Sequence, residues 1–252
     1  MLGIKDAIRK IYSGENTLTK HMILFVLTAV PAMLSLPLNN ISKVKDIDTG
    51  TVGMSLLALV LMLVISIYLC GYLYELVKNS FDETREEILP EFDKDKFTLF
   101  WKGFPLQLVW GLYLIGFVLI WLLAYTLCRM VISPAAAAII TFGIFIILMF
   151  FFCIMIPFIT VRFAKEYKRD GLYDIRIPFR DMKKAMDSVI WLCVKLLPLF
   201  LLYLIISMFG KDPSVLGYIM AGIGAYVAAI SQYIMHFCYV QIYKEKLANY
   251  QD

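Results

Sequence analysis

Several stretches of this chain run for tens of residues with almost no Lys, Arg, Asp or Glu, and that segregation of charge constrains the fold more than any motif. About 20 apolar residues in a helix cross the ~30 Å hydrocarbon layer of a bilayer. In hydrocarbon every backbone N–H and C=O must be paired within the protein, so such runs are helical or belong to a closed barrel. These runs are too long and continuous for barrel strands. The expected spans are 22–38, 51–77, 104–127, 134–161, 188–208 and 214–242. Composition agrees: the 252 residues are 61% hydrophobic and 17% charged. A soluble domain is nearer ~45–50% apolar and ~25% charged, and one soluble core cannot hide the difference. The expected class is therefore all-α: a polytopic integral membrane protein with six transmembrane helices in one domain, 1–252.

Local signals punctuate the spans. Ser133-Pro134 offers an N-cap and a first-turn proline for the fourth span, and Asp212-Pro213 does so for the sixth. Pro31 and Pro37 predict a kinked or partly interfacial first span. No cleavable signal peptide is expected, because the run from Met22 lacks a small-residue cleavage site.

Basic residues are retained on the cytosolic face. Nineteen of the 24 fall on one side of the expected layout, in the N-terminal segment, the second and fourth connections and the tail. Four fall opposite (Lys43, Lys45, Arg129 and Lys211), and Lys195 lies inside a span. The expectation is a multi-pass protein of the cell (cytoplasmic) membrane, with N and C termini inside.

Outward-going spans begin near 22, 104 and 188, each after a segment with helical amphipathicity. The first carries Ile4, Ile8, Ile11 and Tyr12 on one face; the second carries Phe97, Phe100, Trp101 and Phe104; the third carries Phe179, Met182, Met186, Val189 and Ile190. These read as three cytosolic-side interfacial amphipathic helices, apolar face down in the headgroups. They also suggest a threefold parallel repeat of helix hairpins, with units 1–78, 88–162 and 175–243.

Three groups of residues resemble one family. Gly71-Tyr72-Leu73, Leu89-Pro90-Glu91-Phe92-Asp93 and Lys102-Gly103-Phe104 form the first; Pro157-Phe158-Ile159-Thr160-Val161-Arg162-Phe163-Ala164 and Ile177-Pro178-Phe179-Arg180-Asp181 form the second; Ile4-Lys5-Asp6-Ala7-Ile8-Arg9 opens the chain. Together they are similar to the membrane family called domain of unknown function number four thousand and thirteen. The resemblance implies a six-span prokaryotic membrane protein, and it brings no activity, substrate or catalytic residue.

Candidate site residues come from charge and polarity inside the spans. Lys195 lies about two turns into the fifth span, where burial costs ~2.5–3.5 kcal/mol unless the ammonium snorkels to the headgroups. Glu75, His236 and Gln232 are the other members of a candidate intramembrane polar site, with a Lys195–Glu75 pair as the specific expectation. A helix-end Glu75 beside Lys78, and an interior hydrogen-bonded His236, are the bland readings. Gly217, Ala221, Ala225 and Ala229 recur every four residues, as helix-packing positions do. Arg162, Lys165, Lys168, Arg169, Lys183 and Lys184 are candidate anionic-lipid contacts, although topology alone requires basic residues there. Trp101, Trp110 and Trp191 are expected as interface anchors.

Other chemistry is sparse. The five cysteines form no CxxC pair and read as packing residues. No HExxH, GxSxG, Walker A or GxGxxG motif occurs, and the acidic run 82–95 lacks EF-hand spacing. No cofactor, no metal and no nucleic-acid partner is expected. The expected function is a non-enzymatic membrane module that handles lipid-like or amphipathic molecules or serves as a membrane subunit. A small-solute transporter or permease is the alternative, and a membrane-embedded enzyme ranks below both. Expected partners are membrane lipids, with a protein partner or a second copy of the chain also open.

Overall fold

The computed structural model describes residues 3–40, 49–92, 96–166, 174–210 and 214–248. Among them are seven helices and no strand: α1 (Ile4–Tyr12), α2 (Thr17–Asn40), α3 (Thr49–Phe81), α4 (Lys96–Val131), α5 (Pro134–Glu166), α6 (Arg176–Phe209) and α7 (Val215–Lys246). All but α1 are long and apolar enough to cross a membrane. The protein is an all-helical, multi-pass membrane protein.

The prolines do not break these helices. α2 runs through Pro31 and Pro37, and Pro105, Pro157 and Pro198 sit inside α4, α5 and α6. Ser133 caps α5 as expected: its hydroxyl accepts from Ala136 N at 3.4 Å. For α7 the cap is Ser214, whose hydroxyl accepts from Gly217 N at 3.1 Å; Asp212 and Pro213 lie outside the described residues.

The amphipathic segments differ from their expected form. Only the first is a separate helix. The second and third run unbroken into α4 and α6, of 36 and 34 residues. Continuing a helix adds one hydrogen bond per residue fixed, whereas a break leaves terminal groups unpaired. α4 continues through Pro105, which removes one backbone hydrogen bond without ending the helix, and Pro178 falls in the first turn of α6, where proline is tolerated. α1 also turns a different face inward. Ala7 and Ile11 are buried, while Ile8 and Tyr12 are exposed, because α1 packs on α7 and the 82–92 loop instead of lying on lipid. A tight turn with Gly14 at φ 112° and Asn16 at φ 61° leads from α1 into α2. A side chain at Gly14 would strike the Glu87 carboxylate.

The even-numbered spans α3, α5 and α7 pack on one another at the centre. Around them, α2 lies against α7 and α3, α4 against α3 and α5, and α6 against α7 and α5. At 1.5 Å per residue α3–α7 are roughly 50 Å long, well beyond ~30 Å of hydrocarbon. The buried core gathers at the basic end of the bundle: Tyr72, Leu76, Ile88, Leu106, Phe158, Met182, Leu192 and Ile242 are fully covered. Towards the other end the helices turn large apolar side chains outward, as lipid-solvated segments do.

Candidate functional site

The site begins with two glycines. Gly71 on α3 and Gly103 on α4 face each other so closely that a Cβ on either would collide with backbone of the opposite helix, at Leu99 and Ile67 respectively. Small residues permit this approach, and it brings long stretches of both helices into contact. One turn from Gly71, Glu75 pairs with Lys102, the neighbour of Gly103. One turn the other way along α4, Gln107 Oε1 accepts from Cys70 Sγ at 2.8 Å. The crossing therefore separates an ionic layer from an uncharged polar layer.

The ionic layer closes the basic end. The Lys20 ammonium is almost wholly buried and lies 2.5 Å from both Glu87 and Glu91. The 82–92 loop carrying those glutamates is held further: Lys10 Nζ donates to Arg85 O at 2.7 Å, Ser13 Oγ to Glu86 O at 2.7 Å, and Tyr72 Oη to Pro90 O at 3.2 Å. Phe92 stacks on Tyr72 at 4.6 Å. Arg162 on α5 makes a two-pronged pair with buried Asp181 on α6, its second contact at 3.0 Å, and lies over the Tyr243 ring. Outside the spans, a hydrogen bond from Lys244 holds the Glu83 carboxyl below its ordinary value. The Thr84 hydroxyl and N–H do the same for Asp82.

Inside this layer lies a cavity of about 420 Å³. It is bounded by α2, α3, α4 and α7, with Met62, Leu69, Leu73, Ala225 and Ala229 among its apolar walls and Thr28, Ser66, Cys70, Gln107, Trp110, Gln232 and Tyr233 as its polar points. No Asp, Glu, Lys, Arg or His lines it. A second cavity of about 240 Å³ lies between α6 and α7 and shares Ala228 and Gln232 with the first.

The expected site residues are scattered by this geometry. Glu75 is bonded to Lys102, and Lys195 stands exposed on α6, so the Lys195–Glu75 pair does not form. An exposed lysine two turns into a span is free to snorkel. His236 is buried in α7, its Nδ1 bonded to Gln232 O at 2.8 Å and its Nε2 without a partner among the described residues. Gln232 alone of the four lines the cavity. The stripe at Gly217, Ala221, Ala225 and Ala229 divides: Gly217 is buried, Ala221 abuts Gly210, and Ala225 and Ala229 line the cavity. The tight approach of α7 to α2 is made instead by Gly222, against Ala29 and Met33.

Among the expected lipid contacts, Arg162 is committed to Asp181 and Lys165 donates to Tyr243 Oη at 3.3 Å. Lys183 and Lys184 are exposed, and Lys168 and Arg169 lie outside the described residues. Trp101 and Trp191 are exposed as anchors are, whereas Trp110 lines the cavity. Trp110 and Cys70 line the cavity and Lys20 joins the ionic layer, where hydropathy alone assigns anchoring, packing and topology. Trp110 shares a face of α4 with Gln107, which the sequence spacing shows, whereas the meeting of Cys70 with Gln107 across two helices does not follow from spacing. Among the described residues no three His, Cys, Asp or Glu side chains are grouped to hold a metal.

Comparison with known proteins supplies one match. No curated protein and no solved structure matches the chain. The family described as "Protein of unknown function (DUF4013)" matches residues 54–211, more than half the chain, including both internal groups of motif residues but not the opening 4–9. On that match, a membrane protein whose signature glycines form the α3–α4 crossing belongs to the DUF4013 family.

Proposed function

We propose that the protein is a non-enzymatic membrane module that holds a lipid-like or amphipathic molecule between its spans. The observation that carries this reading is the uncharged, mostly apolar cavity of about 420 Å³ between α2, α3, α4 and α7. Its volume is within the ~300–1,000 Å³ of ligand sites, and apolar walls with a few polar points are their usual lining. Neither Lys195 nor Glu75, the two charged residues inside the sequence-read spans, lines it. Acid–base catalysis would draw on a carboxylate, imidazole or amine at the cavity wall, and the lining carries none.

Orientation belongs to the same proposal. The 19-to-4 partition of basic residues supports a cytosolic basic end, with both termini inside the cell membrane. The cyclic packing of α2–α3, α4–α5 and α6–α7 supports the threefold hairpin reading. Permeation is the second reading, favoured by Gln232 bordering both cavities; a solute-flux assay in proteoliposomes distinguishes it.

The test is purification of the full chain in mild detergent, solvent extraction and mass spectrometry of retained lipids. One lipid class should be enriched over bulk membrane and lost from Ala229→Phe, which fills the cavity. Wild-type protein with no enrichment, or an Ala229→Phe protein retaining the same class, overturns the reading.

A further inference from the structure

We infer that the molecule held in this cavity has an uncharged polar end bearing a carbonyl or ester oxygen, received by Gln107 and Gln232, with its apolar chain directed into the cavity between α6 and α7. This rests on the proposed function and names the ligand class of the same site.

Charge is the first discriminator. A carboxylate, phosphate or ammonium placed here would lose its hydration and meet no counter-ion, at a cost of several kcal/mol. The Glu75–Lys102 pair beyond the glycine crossing is already neutralised.

Hydrogen-bond supply is the second. The Gln107 carbonyl is taken by Cys70, which leaves its amide NH₂ as donor. Thr28 spends its proton on the carbonyls of its own helix, Leu24 and Phe25. The Trp110 indole N–H is buried with no acceptor among the described residues, and Trp110 and Gln107 are one turn apart on α4. Gln232 adds a second primary amide from α7. The Trp110 indole N–H and the Gln107 amide are thus donors in want of an acceptor, and an uncharged acceptor oxygen is what they would bind. A buried donor left unmatched costs ~1–3 kcal/mol, so such a ligand gains by satisfying them.

Shape is the third. Past Gln232 the second cavity is walled by Leu196, Leu199, Phe200 and Met235, a lining suited to hydrocarbon. Its 240 Å³ shares Ala228 and Gln232 with the first, which sets these apolar walls beside the polar points.

The test uses the purified full chain and three matched probes: monoolein, oleate at pH 8 and octadecene, with binding read by native mass spectrometry and displacement of radiolabelled monoolein. Monoolein should bind at least tenfold more tightly than oleate. Gln107→Met and Gln232→Met should each weaken monoolein by about three- to tenfold, the loss of one neutral hydrogen bond, while octadecene binding stays unchanged. Lys5→Gln, exposed on α1, should leave all three probes unaffected. If Gln107→Met does not elute as a monodisperse protein, Trp110→Phe and Gln107→Asn make the same comparison. Oleate binding as tightly as monoolein overturns the inference while the proposed function stands. So does monoolein held at full affinity by the folded Gln variants. Wild-type protein that binds none of the probes overturns the proposed function together with it.

Discussion

The two ends of the bundle are built for different solvents. At the basic end, side chains are covered by other parts of the protein, and interhelical ties hold α2 to the 82–92 loop, α3 to α4, α5 to α6 and α6 to α7. At the opposite end Leu112, Ile115, Leu119, Ile120 and Leu123 of α4 point outward, and a Cβ added at Gly111, Gly116 or Gly143 would meet no neighbouring atom within 4 Å. Hydropathy is high throughout, so it cannot tell these ends apart. The difference teaches that in a membrane bundle close packing is located by glycine contacts and polar ties, because lipid solvates an apolar side chain as well as another helix does.

The strongest way to break the comparison is to remove one partner of a buried tie. Asp181→Leu leaves Arg162 without its main counter-charge and should cost roughly 3–5 kcal/mol, seen as a large drop in thermal stability in detergent. Arg162→Met with Asp181→Leu should recover most of it. A single variant melting like wild type would mean that the basic end is not held by these pairs.

Next in size is the helix crossing. Gly71→Leu forces α3 from α4 and should cost about 1–3 kcal/mol or more, with loss of the Glu75–Lys102 contact reported by cysteine crosslinking across the two positions.

A smaller effect is expected of the exposed Glu83–Lys244 tie, which joins the loop to α7. The Glu83 carboxyl is lowered from 4.5 in the folded chain, chiefly by the hydrogen bond from Lys244. Its contribution is therefore present above that value and is lost as the pH falls below it. Melting curves of wild type and Glu83→Gln should differ slightly at pH 7 and converge in acid, and added salt should shrink the gap. Curves that diverge as the pH falls would contradict the assignment.

The smallest effect sharpens the contrast: Gly116→Leu, the same kind of substitution as at Gly71 but at the open end, should change stability by no more than about 0.5 kcal/mol. A loss equal to that of Gly71→Leu would show that the opposite end is packed after all.

Much of this architecture was legible before any coordinates. Six helices followed from the length and polarity of the runs, and the start of α5 from Ser133-Pro134, because solvent preference and capping act within one segment. The motif residues Gly71 and Gly103 stood out by resemblance alone; their meaning appeared only when α3 and α4 were seen to touch. The partner of Glu75 could not be read from depth, since Lys195 and Lys102 are both plausible by depth and only the rotation of α6 and the adjacency of α4 choose between them. Likewise Ala225 and Ala229 have the spacing of a packing seam, yet they line a cavity because α7 meets α2 through Gly222.

What the sequence determined by itself is therefore the solvent each segment requires: lipid for the six runs, water or protein for the charged segments between them. Only the tertiary structure decided which charges meet, which glycines touch and where the bundle stays open. A segment's solvent depends on its own composition, whereas pairing depends on the rotation and neighbours of every helix at once.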